Sequence, residues 1–399
     1  MAALNRRGLL AALPCLGMAA LAPRLSFASA AALQNRRFVL VILRGAMDGL
    51  SAVAPVGDPD YAKLRKTLAI AAAGQSGGGY ALGNGFFVLH PAMAALQPLF
   101  AAGEMLVAHA MASPYRDRSH FDGQAVLENG TALAGGTTGW LNRFLAATAA
   151  QSWSGMAFGP YVPLSLQGSV PVANWFPDDD NVQTASAQLL QLAGQMYAAD
   201  TCLSPALATG IATAQFAAST GTATTTLSPR NFAGLCQVCA PLLAAPGGPN
   251  IATLESYGWD THVSQGAASG ALANQLAGLA QGVATLKAGL GAQWAQTVVL
   301  AITEFGRTAT VNGSHGTDHG TATAGFAFGG LVNGGRVLAN WPGLSPGALY
   351  QGRDLAPTLD LRSFLKGVLG DAFSLTRAQL DAIFPASTSV PALAGTIKC

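Results

Sequence analysis

Hydrophobic residues in this chain form short uninterrupted runs, separated by longer segments of mixed polarity. The clearest runs are Arg37 to Leu43 (RFVLVIL) and residues 297–303 (TVVLAIT), with shorter ones at Glu104 to Ala110 and Phe326 to Gly330. Apolar runs without polar alternation are typical of strands buried on both faces of a parallel sheet. They predict such a sheet, with Arg37 to Leu43 near its middle.

The segments between these runs carry helix signals, such as Gly103 at the end of an apolar stretch and the polar loop Tyr115 to Ser119 before His120. Alternating strands and helices predict an α/β fold, with a mostly parallel sheet sandwiched by helices. The predicted helices are Pro91 to Ala102, His120 to Glu128, Gly139 to Ala150, about Ala267 to Leu290, and Asp354 to Leu369.

Residues 151–250 differ in character from the rest of the chain. They contain proline-rich turns, the acidic run Asp178 to Asp180 and Ala/Thr-rich helical segments. We interpret them as a cap inserted into a single α/β domain that spans residues 31–399.

The first thirty residues have the pattern of an export signal. Arg6 and Arg7 precede an Ala-rich apolar segment that ends in small residues near Ala30. The paired arginines favour a twin-arginine signal over a general secretion signal. We therefore expect a periplasmic or secreted protein, with no transmembrane segment in its mature form.

The low charge of the chain bears on its possible partners. Only 10% of the residues are charged and the formal net charge is +2, so no basic stripe predicts nucleic acid as a partner.

The cysteines predict disulfides. Cys202, Cys236, Cys239 and Cys399 remain after the signal, an even number that predicts one or two disulfides in an oxidising compartment. For Cys236 and Cys239 we favour a structural disulfide over a redox pair or half a zinc site. The sequence indicates no oligomeric state.

Potential metal ligands follow several of the predicted strands. Asp48 follows the first strand, Asp260 and His262 lie two residues apart, and Glu304 ends the run at 297–303. The glycine loop after it displays Asp318 and His319. Because the carboxyl ends of parallel strands meet at one edge of a sheet, these oxygen and nitrogen donors predict a metal site there.

Five motifs carry a resemblance to a known family. They are RGAMDGL at 44–50, RSHF at 118–121, WDTH at 259–262, TEFGRT at 303–308 and GTDHG at 316–320. On these motifs the mature chain resembles DUF1501, a bacterial family of exported twin-arginine proteins of unknown function. More distantly, it is similar to the alkaline-phosphatase-like superfamily of phosphatases, sulfatases and cofactor-independent phosphomutases.

The superfamily resemblance implies a set of roles at the site. Ser119 at a helix start would be the nucleophile, the alternative being a simple helix cap. Arg118 or Arg307 would clamp a phosphate or sulfate, and His120 is a candidate general acid, metal ligand or packed core histidine. The resemblance implies that one or two divalent ions (Zn, Mg, Mn or Ca) are held by Asp48, Asp260, His262, Glu304, Asp318 and His319.

One departure from the superfamily pattern concerns Phe305. The superfamily has Asp-His-Gly where this chain has Glu304-Phe305-Gly306, so one imidazole ligand is missing. His315 and Asp318 are the candidate replacements.

Two main functional hypotheses follow, and the sequence leaves open whether the chain is an enzyme. The first is a metal-dependent periplasmic hydrolase or transferase, acting on a small or polymeric phosphate or sulfate ester. The second is a non-catalytic exported protein that retains the fold for assembly or polymer binding. A third, redox function would use Cys236 and Cys239.

Overall fold

A computed structural model describes residues 33, 36–148, 154–176, 186–220 and 231–398. The predicted export signal, the acidic run Asp178 to Asp180 and Cys399 lie outside the described residues. Within those ranges, no helix is long and apolar enough to cross a membrane.

Twelve strands and eleven α-helices form the described part of the chain. The strands are β1 (Arg37–Arg44), β2 (Val53–Ala54), β3 (Tyr80–Leu82), β4 (Phe87–Leu89), β5 (Met105–Ala112), β6 (Gly155–Phe158), β7 (Ala173–Trp175), β8 (Ile251–Tyr257), β9 (Thr297–Ile302), β10 (Thr323–Phe328), β11 (Arg336–Leu338) and β12 (Leu359–Asp360). The helices are α1 (Gly49–Ala52), α2 (Tyr61–Arg65), α3 (Gln97–Ala101), α4 (His120–Asn129), α5 (Trp140–Ala147), α6 (Ala187–Tyr197), α7 (Leu203–Ser219), α8 (Phe232–Ala244), α9 (Ala271–Leu290), α10 (Leu361–Phe373) and α11 (Arg377–Ile383).

The main sheet has nine strands in the order β11-β5-β10-β9-β1-β8-β6-β7, with β12 also pairing with β5. β1 lies between β8 and β9 and runs parallel to both. β10 runs antiparallel to its two neighbours, β5 and β9. The predicted mostly parallel α/β sheet is therefore confirmed. The short strands β2, β4 and β3 form a separate antiparallel sheet.

Alternate side chains of β1 pack into two different cores. Val39, Val41 and Leu43 face the core that includes α8 and α9. Phe38, Leu40 and Ile42 face the core built with α5, α10 and α11. Both faces of β1 are covered by helices, which is why its sequence is apolar without alternation.

The helices predicted from Pro91 and from Asp354 begin several residues later in the structure. The predicted helix from Pro91 is a 3-10 turn over Pro91–Leu96, followed by α3, with Met93 in a non-helical conformation between its neighbours. The prediction ran through Pro98, which has no N–H to donate. The predicted helix from Asp354 begins only at Leu361, because the Asp360 carboxylate accepts the Arg362 N–H at 2.8 Å and caps α10 there.

Parts of the predicted cap region extend the core. β6 and β7 add to the edge of the main sheet beside β8, and α8 contributes buried side chains to the core that it shares with α9. α6, by contrast, has no buried residue. A cap role for the region stays a prediction.

The predicted disulfide is not formed among the described cysteines. Cys202, Cys236 and Cys239 are all free thiols. Cys236 and Cys239 are buried on α8, and burial raises the pKa of both thiols. They pack as small apolar side chains, and their environment disfavours the thiolate that redox chemistry or zinc binding would need.

Candidate metal centre

The loops that follow β1, β8 and β9 lie against one another at the carboxyl edge of the sheet. Gly45, after β1, has a positive φ of 119°, and a Cβ there would lie 2.6 Å from the Asp260 backbone nitrogen. A Cβ on Gly316 would lie 2.3 Å from the His262 carbonyl oxygen. Glycine is therefore required at both positions, because the loops that carry the polar residues approach each other so closely.

Four side chains converge at this edge. The ligand atoms of His120, Asp260 and His319 all lie within 4.8 Å of one another. The two Asp260 carboxylate oxygens lie 3.4 Å from His120 Nε2 and 3.5 Å from His319 Nε2. His262 flanks this group, with its Nε2 at 3.0 Å from Asp260 Oδ1 and 2.9 Å from His319 Nε2.

Each of the three imidazoles is oriented through its Nδ1 atom. The partner is in each case a carboxylate or carbonyl oxygen that can only accept, so Nδ1 carries the hydrogen. In the neutral ring, Nε2 is then left with a lone pair facing the cluster, which is the usual arrangement of histidine around a metal. The pairs are His120 with Glu304 Oε1 at 2.8 Å, His262 with Asp318 Oδ1 at 3.2 Å, and His319 with the Arg118 carbonyl at 2.8 Å.

The geometry fits a divalent cation. His120 Nε2 is buried and has no hydrogen-bond partner among the described residues, which is costly unless another group satisfies it. Ligands about 2.0–2.1 Å from a tetrahedral metal lie about 3.3 Å from each other, close to the 3.4 and 3.5 Å between the Asp260 oxygens and the Nε2 atoms of His120 and His319. Burial lowers the pKa of His319, which favours its neutral, metal-binding form.

Arg307 and Glu304 hold ligands in place from behind. Arg307 is buried, and its NH1 lies 2.5 Å from Asp260 Oδ1 while its Nε donates to Thr317 Oγ1 at 3.2 Å. Burial alone would raise the pKa of Asp260, but the hydrogen bond and charge of Arg307 lower it. The guanidinium thus orients Asp260. The sequence led us to expect that Arg307 would clamp an anion, but its side chain is buried and not exposed to one.

Glu304 is buried and serves His120. Its Oε1 also accepts from the Gly45 N–H at 2.9 Å and from Gln124 Nε2 at 3.1 Å, and Oε2 accepts from Thr303 Oγ1 at 2.7 Å. The hydrogen bond that His120 Nδ1 donates to Glu304 raises the pKa of His120, although burial opposes it. The carboxylate is placed to make His120 a better ligand and is not itself in the cluster.

Asp318 serves His262 in the same way, but at the surface. Its side chain is half exposed, and its Oδ1 also accepts from Asn312 Nδ2 at 3.0 Å. The hydrogen bond from Asn312 lowers the pKa of Asp318, so the group is ionised when it accepts from His262.

Asp48 is not brought to the cluster. It is fully buried, caps α1, and forms an ion pair with the equally buried Arg65. It also accepts from Gln265 Nε2 at 2.7 Å and Ser51 Oγ at 3.0 Å. Although burial raises the pKa of Asp48, Arg65 and these hydrogen bonds lower it. The superfamily resemblance implied that Asp48 binds a metal ion. In the structure the Arg65 guanidinium supplies the positive charge beside Asp48 instead.

The remaining predicted residues have distinct positions. Ser119 is the N-cap residue of α4, but its side chain makes no capping hydrogen bond. Phe305 is buried and stacks on His120, with ring centroids 5.0 Å apart. His315 is exposed and is not among the clustered side chains of the described chain, so it does not replace the missing imidazole.

Sequence reasoning gave too little weight to His120 as a ligand and missed the part played by Arg118. Arg118 has a positive φ of 59°, and its side chain donates to Asp354 from Nε at 3.0 Å and from NH2 at 2.8 Å. This turn directs the Arg118 carbonyl to His319. The RSHF motif was the only signal of either role.

A model of the DUF1501 family, described as protein of unknown function, matches residues 87–384. The chain belongs to the DUF1501 family. The family prediction is thus confirmed. No curated protein sequence matches this DUF1501 protein significantly.

Three solved structures are similar to this DUF1501 protein. The crystal structure of Ps i-CgsB in complex with k-i-k-neocarrahexaose shares 9% identity, covering 90% of this chain and 77% of that chain at a TM-score of 0.38. The C-terminal periplasmic domain of EcEptC from Escherichia coli, in complex with Zn, shares 10% identity, with 77% and 76% covered and a TM-score of 0.34. The phosphonate monoester hydrolase of Agrobacterium radiobacter shares 12% identity, with 86% and 74% covered and a TM-score of 0.29.

Proposed function

We propose that this DUF1501 protein is an exported, metal-dependent hydrolase or transferase that acts on phosphate or sulfate esters. The observation that supports it most is the convergence of the His120 and His319 Nε2 atoms on Asp260, with His120 Nε2 buried and without a partner in the described chain. The donor set is richer in nitrogen than the sequence suggested, which favours zinc over magnesium or calcium.

The chain supplies several elements of such a reaction. A divalent cation held by His120, Asp260 and His319 would polarise an oxygen of the ester. Asp260 and His262 are partly exposed, with side-chain exposures of 41% and 38%, so an ester in solvent has access to the cluster. Glu304, Asp318 and the Arg118 carbonyl hold the three imidazoles in one orientation.

Ser119 is the proposed nucleophile. It immediately precedes His120, and its hydroxyl is not used as a helix cap. The N-terminus of the ten-residue helix α4 favours an anionic group beside it. Ser119 Oγ would give up its proton to solvent and form the new bond to phosphorus or sulfur, while the bond to the leaving alcohol breaks and that alcohol takes a proton from water. A second water molecule (hydrolysis) or an acceptor alcohol (transfer) would then attack the same phosphorus or sulfur atom, break its bond to Ser119 Oγ and return a proton to the serine.

A second candidate function is non-catalytic binding or assembly, and two observations favour it. Asp48 is neutralised by Arg65, and Phe305 occupies the position of an expected imidazole. Among the described residues this leaves one candidate cation site, the lower of the one or two ions that the superfamily resemblance implies. In that case a bound metal would stabilise the fold without supporting turnover.

The test begins with elemental analysis of the purified protein and of three variants. We expect about one equivalent of a divalent metal, lost in His120→Ala and His319→Ala. It should be retained in His315→Ala, the control, because His315 is an exposed histidine in the loop that carries His319.

Hydrolysis of p-nitrophenyl phosphate and p-nitrophenyl sulfate by the metal-loaded protein then separates the two functions. Ser119→Ala should keep the metal and lose at least about a hundredfold in kcat. Absence of metal after reconstitution would overturn the proposal, and bound metal without turnover would favour the non-catalytic function.

A further inference from the structure

A second concave site lies beside the metal centre, on the same edge of the sheet. A cavity of about 820 Å³ opens at the carboxyl ends of β6 and β8, between the first turn of α8 and the middle of α9. Its wall includes Tyr257, which is three residues before Asp260. Three residues of chain span at most about 11 Å, so the cavity and the metal centre are neighbours.

The cavity wall combines aromatic rings with side-chain amides. Phe158, Phe176, Phe232 and Tyr257 supply the rings. Asn274 and Gln281 lie on one face of α9, seven residues apart, with Gly278 between them. A site of this kind buries an apolar surface against the rings and orients its ligand through a few polar groups.

The charge of the cavity argues against an ionic ligand. Glu255 is the charged residue of its described lining, and this carboxylate is already engaged, since Arg44 Nε donates to its Oε1 at 2.7 Å and Tyr257 donates to its Oε2. No Lys, Arg or His is among the described lining residues, so none of them can pair with a phosphate or sulfate. A buried ion without a partner is costly, so the wall selects an uncharged ligand.

We propose that this cavity binds an uncharged sugar ring of a glycan. A pyranose ring presents an apolar C–H face to an aromatic side chain and hydroxyl groups at its rim. Each hydroxyl both donates and accepts, which matches a side-chain amide, since an amide carries both functions. Tyr161 extends the polar rim, because its hydroxyl lies 2.5 Å from the Tyr257 hydroxyl and its side chain is half exposed.

Gly278 offers a direct way to fill the cavity. A Cβ at Gly278 meets no atom within 4 Å, so a side chain can begin there in open space, at a position that lines the cavity. Replacing glycine inside a helix also stabilises the helix. The Gly278→Leu variant should therefore fold and melt at or above the temperature of the unmodified protein. Gly210 in α7 is equally open and lies outside the cavity lining, so Gly210→Leu is the matched control.

The experiment is isothermal titration of the full chain with hexasaccharides. The probes are cellohexaose, maltohexaose and chitohexaose acetylated at every amine, with an anionic galacturonate hexamer for comparison. We expect a neutral hexamer to bind with a Kd in or below the millimolar range, weakened at least about tenfold in Gly278→Leu and unchanged in Gly210→Leu.

Three results would overturn the proposal. They are no binding of a neutral probe up to about 10 mM, binding of the anionic hexamer alone, and equal binding by Gly278→Leu and the unmodified protein. The titration is repeated after metal removal by a chelator. Because the proposed ligand contacts no metal ligand, its binding should survive, and the result is independent of whether the metal centre is catalytic.

Discussion

His120, His262 and His319 illustrate how partner atoms decide the role of a residue. Each ring donates its Nδ1 hydrogen to an oxygen, and the three oxygens come from a buried glutamate, a half-exposed aspartate and a backbone carbonyl. His90 and His109 differ, because each is buried with both ring nitrogens engaged by backbone groups. Nε2 atoms that face one another and Asp260, and not histidine as such, distinguish the metal centre.

The support that Glu304 gives to His120 should be measurable as metal affinity. Replacing Glu304 by Gln removes the negative charge that strengthens His120 as a ligand, and changes in such supporting partners typically cost about 10- to 100-fold in affinity. We expect this loss in competition titrations against a chelator of known affinity. The control is Asp122→Asn, which neutralises an exposed acid in the first turn of α4, the helix that carries His120. This variant should leave the affinity unchanged. Equal affinities for Glu304→Gln and the unmodified protein would contradict this role.

The Asp48–Arg65 ion pair should stabilise the fold far more than a surface pair. Arg65→Met would leave the Asp48 carboxylate buried without its counter-charge, and breaking a buried pair in this way costs about 3–5 kcal/mol. Urea unfolding measures the loss of unfolding free energy. Lys63→Met breaks the exposed pair with Asp60 and should cost about 1 kcal/mol or less. Similar losses in the two variants would show that Asp48 tolerates the lost charge, contrary to our reading of this pair.

At the scale of elements, α8 and α9 pack so closely that some positions of α9 have no room for a side chain. Gly282 of α9 lies against α8, where an added Cβ would be 2.4 Å from ring atoms of Phe232. Gly278, one turn earlier, faces the open cavity. The same helix therefore has glycines that packing requires, such as Gly282, and one glycine, Gly278, that only lowers helix propensity.

This difference predicts opposite effects of one substitution at the two positions. Gly282→Ala should destabilise the protein by about 1–3 kcal/mol, because the methyl group forces α8 and α9 apart. Gly278→Ala should stabilise it by up to about 1 kcal/mol. Thermal melting followed by circular dichroism measures both. The same sign of effect for the two variants would show that α8 and α9 do not pack as described.

At the scale of the whole molecule, stability depends on buried groups that must stay neutral. His109 is fully buried in β5, where its Nε2 donates to the Val53 carbonyl at 2.9 Å and its ring stacks on Phe87. Burial lowers the pKa of His109 to about 4. Burial likewise lowers the pKa of His90.

These shifts make the unfolding free energy fall with acidification. The unfolded chain takes up a proton on His109 below about pH 6.5, whereas the folded chain resists it until pH is near 4. The stabilisation is therefore complete above pH 6.5 and is lost as pH falls towards 4, by about 3 kcal/mol for this residue. Urea unfolding from pH 7 to pH 4.5 measures it, and His109→Gln should flatten the slope. An unchanged slope in that variant would assign the pH dependence to other groups.

The sequence alone determined the α/β architecture and the edge of the sheet at which the polar residues gather. It could do so because burial on both faces of β1 and β9 leaves a local signature, and because parallel strands end at a common edge. The placement of Asp260, Glu304 and His319 near that edge followed from the same local signals.

Only the tertiary structure decided which of these polar residues converge. His120, Asp260 and His319 are far apart in sequence, and their approach depends on loop conformations such as the left-handed turn at Arg118. Asp48 is excluded because Arg65 reaches it from another element. The approach of these side chains and the pairing of Asp48 with Arg65 depend on contacts between distant parts of the chain. A local sequence pattern therefore cannot predict them.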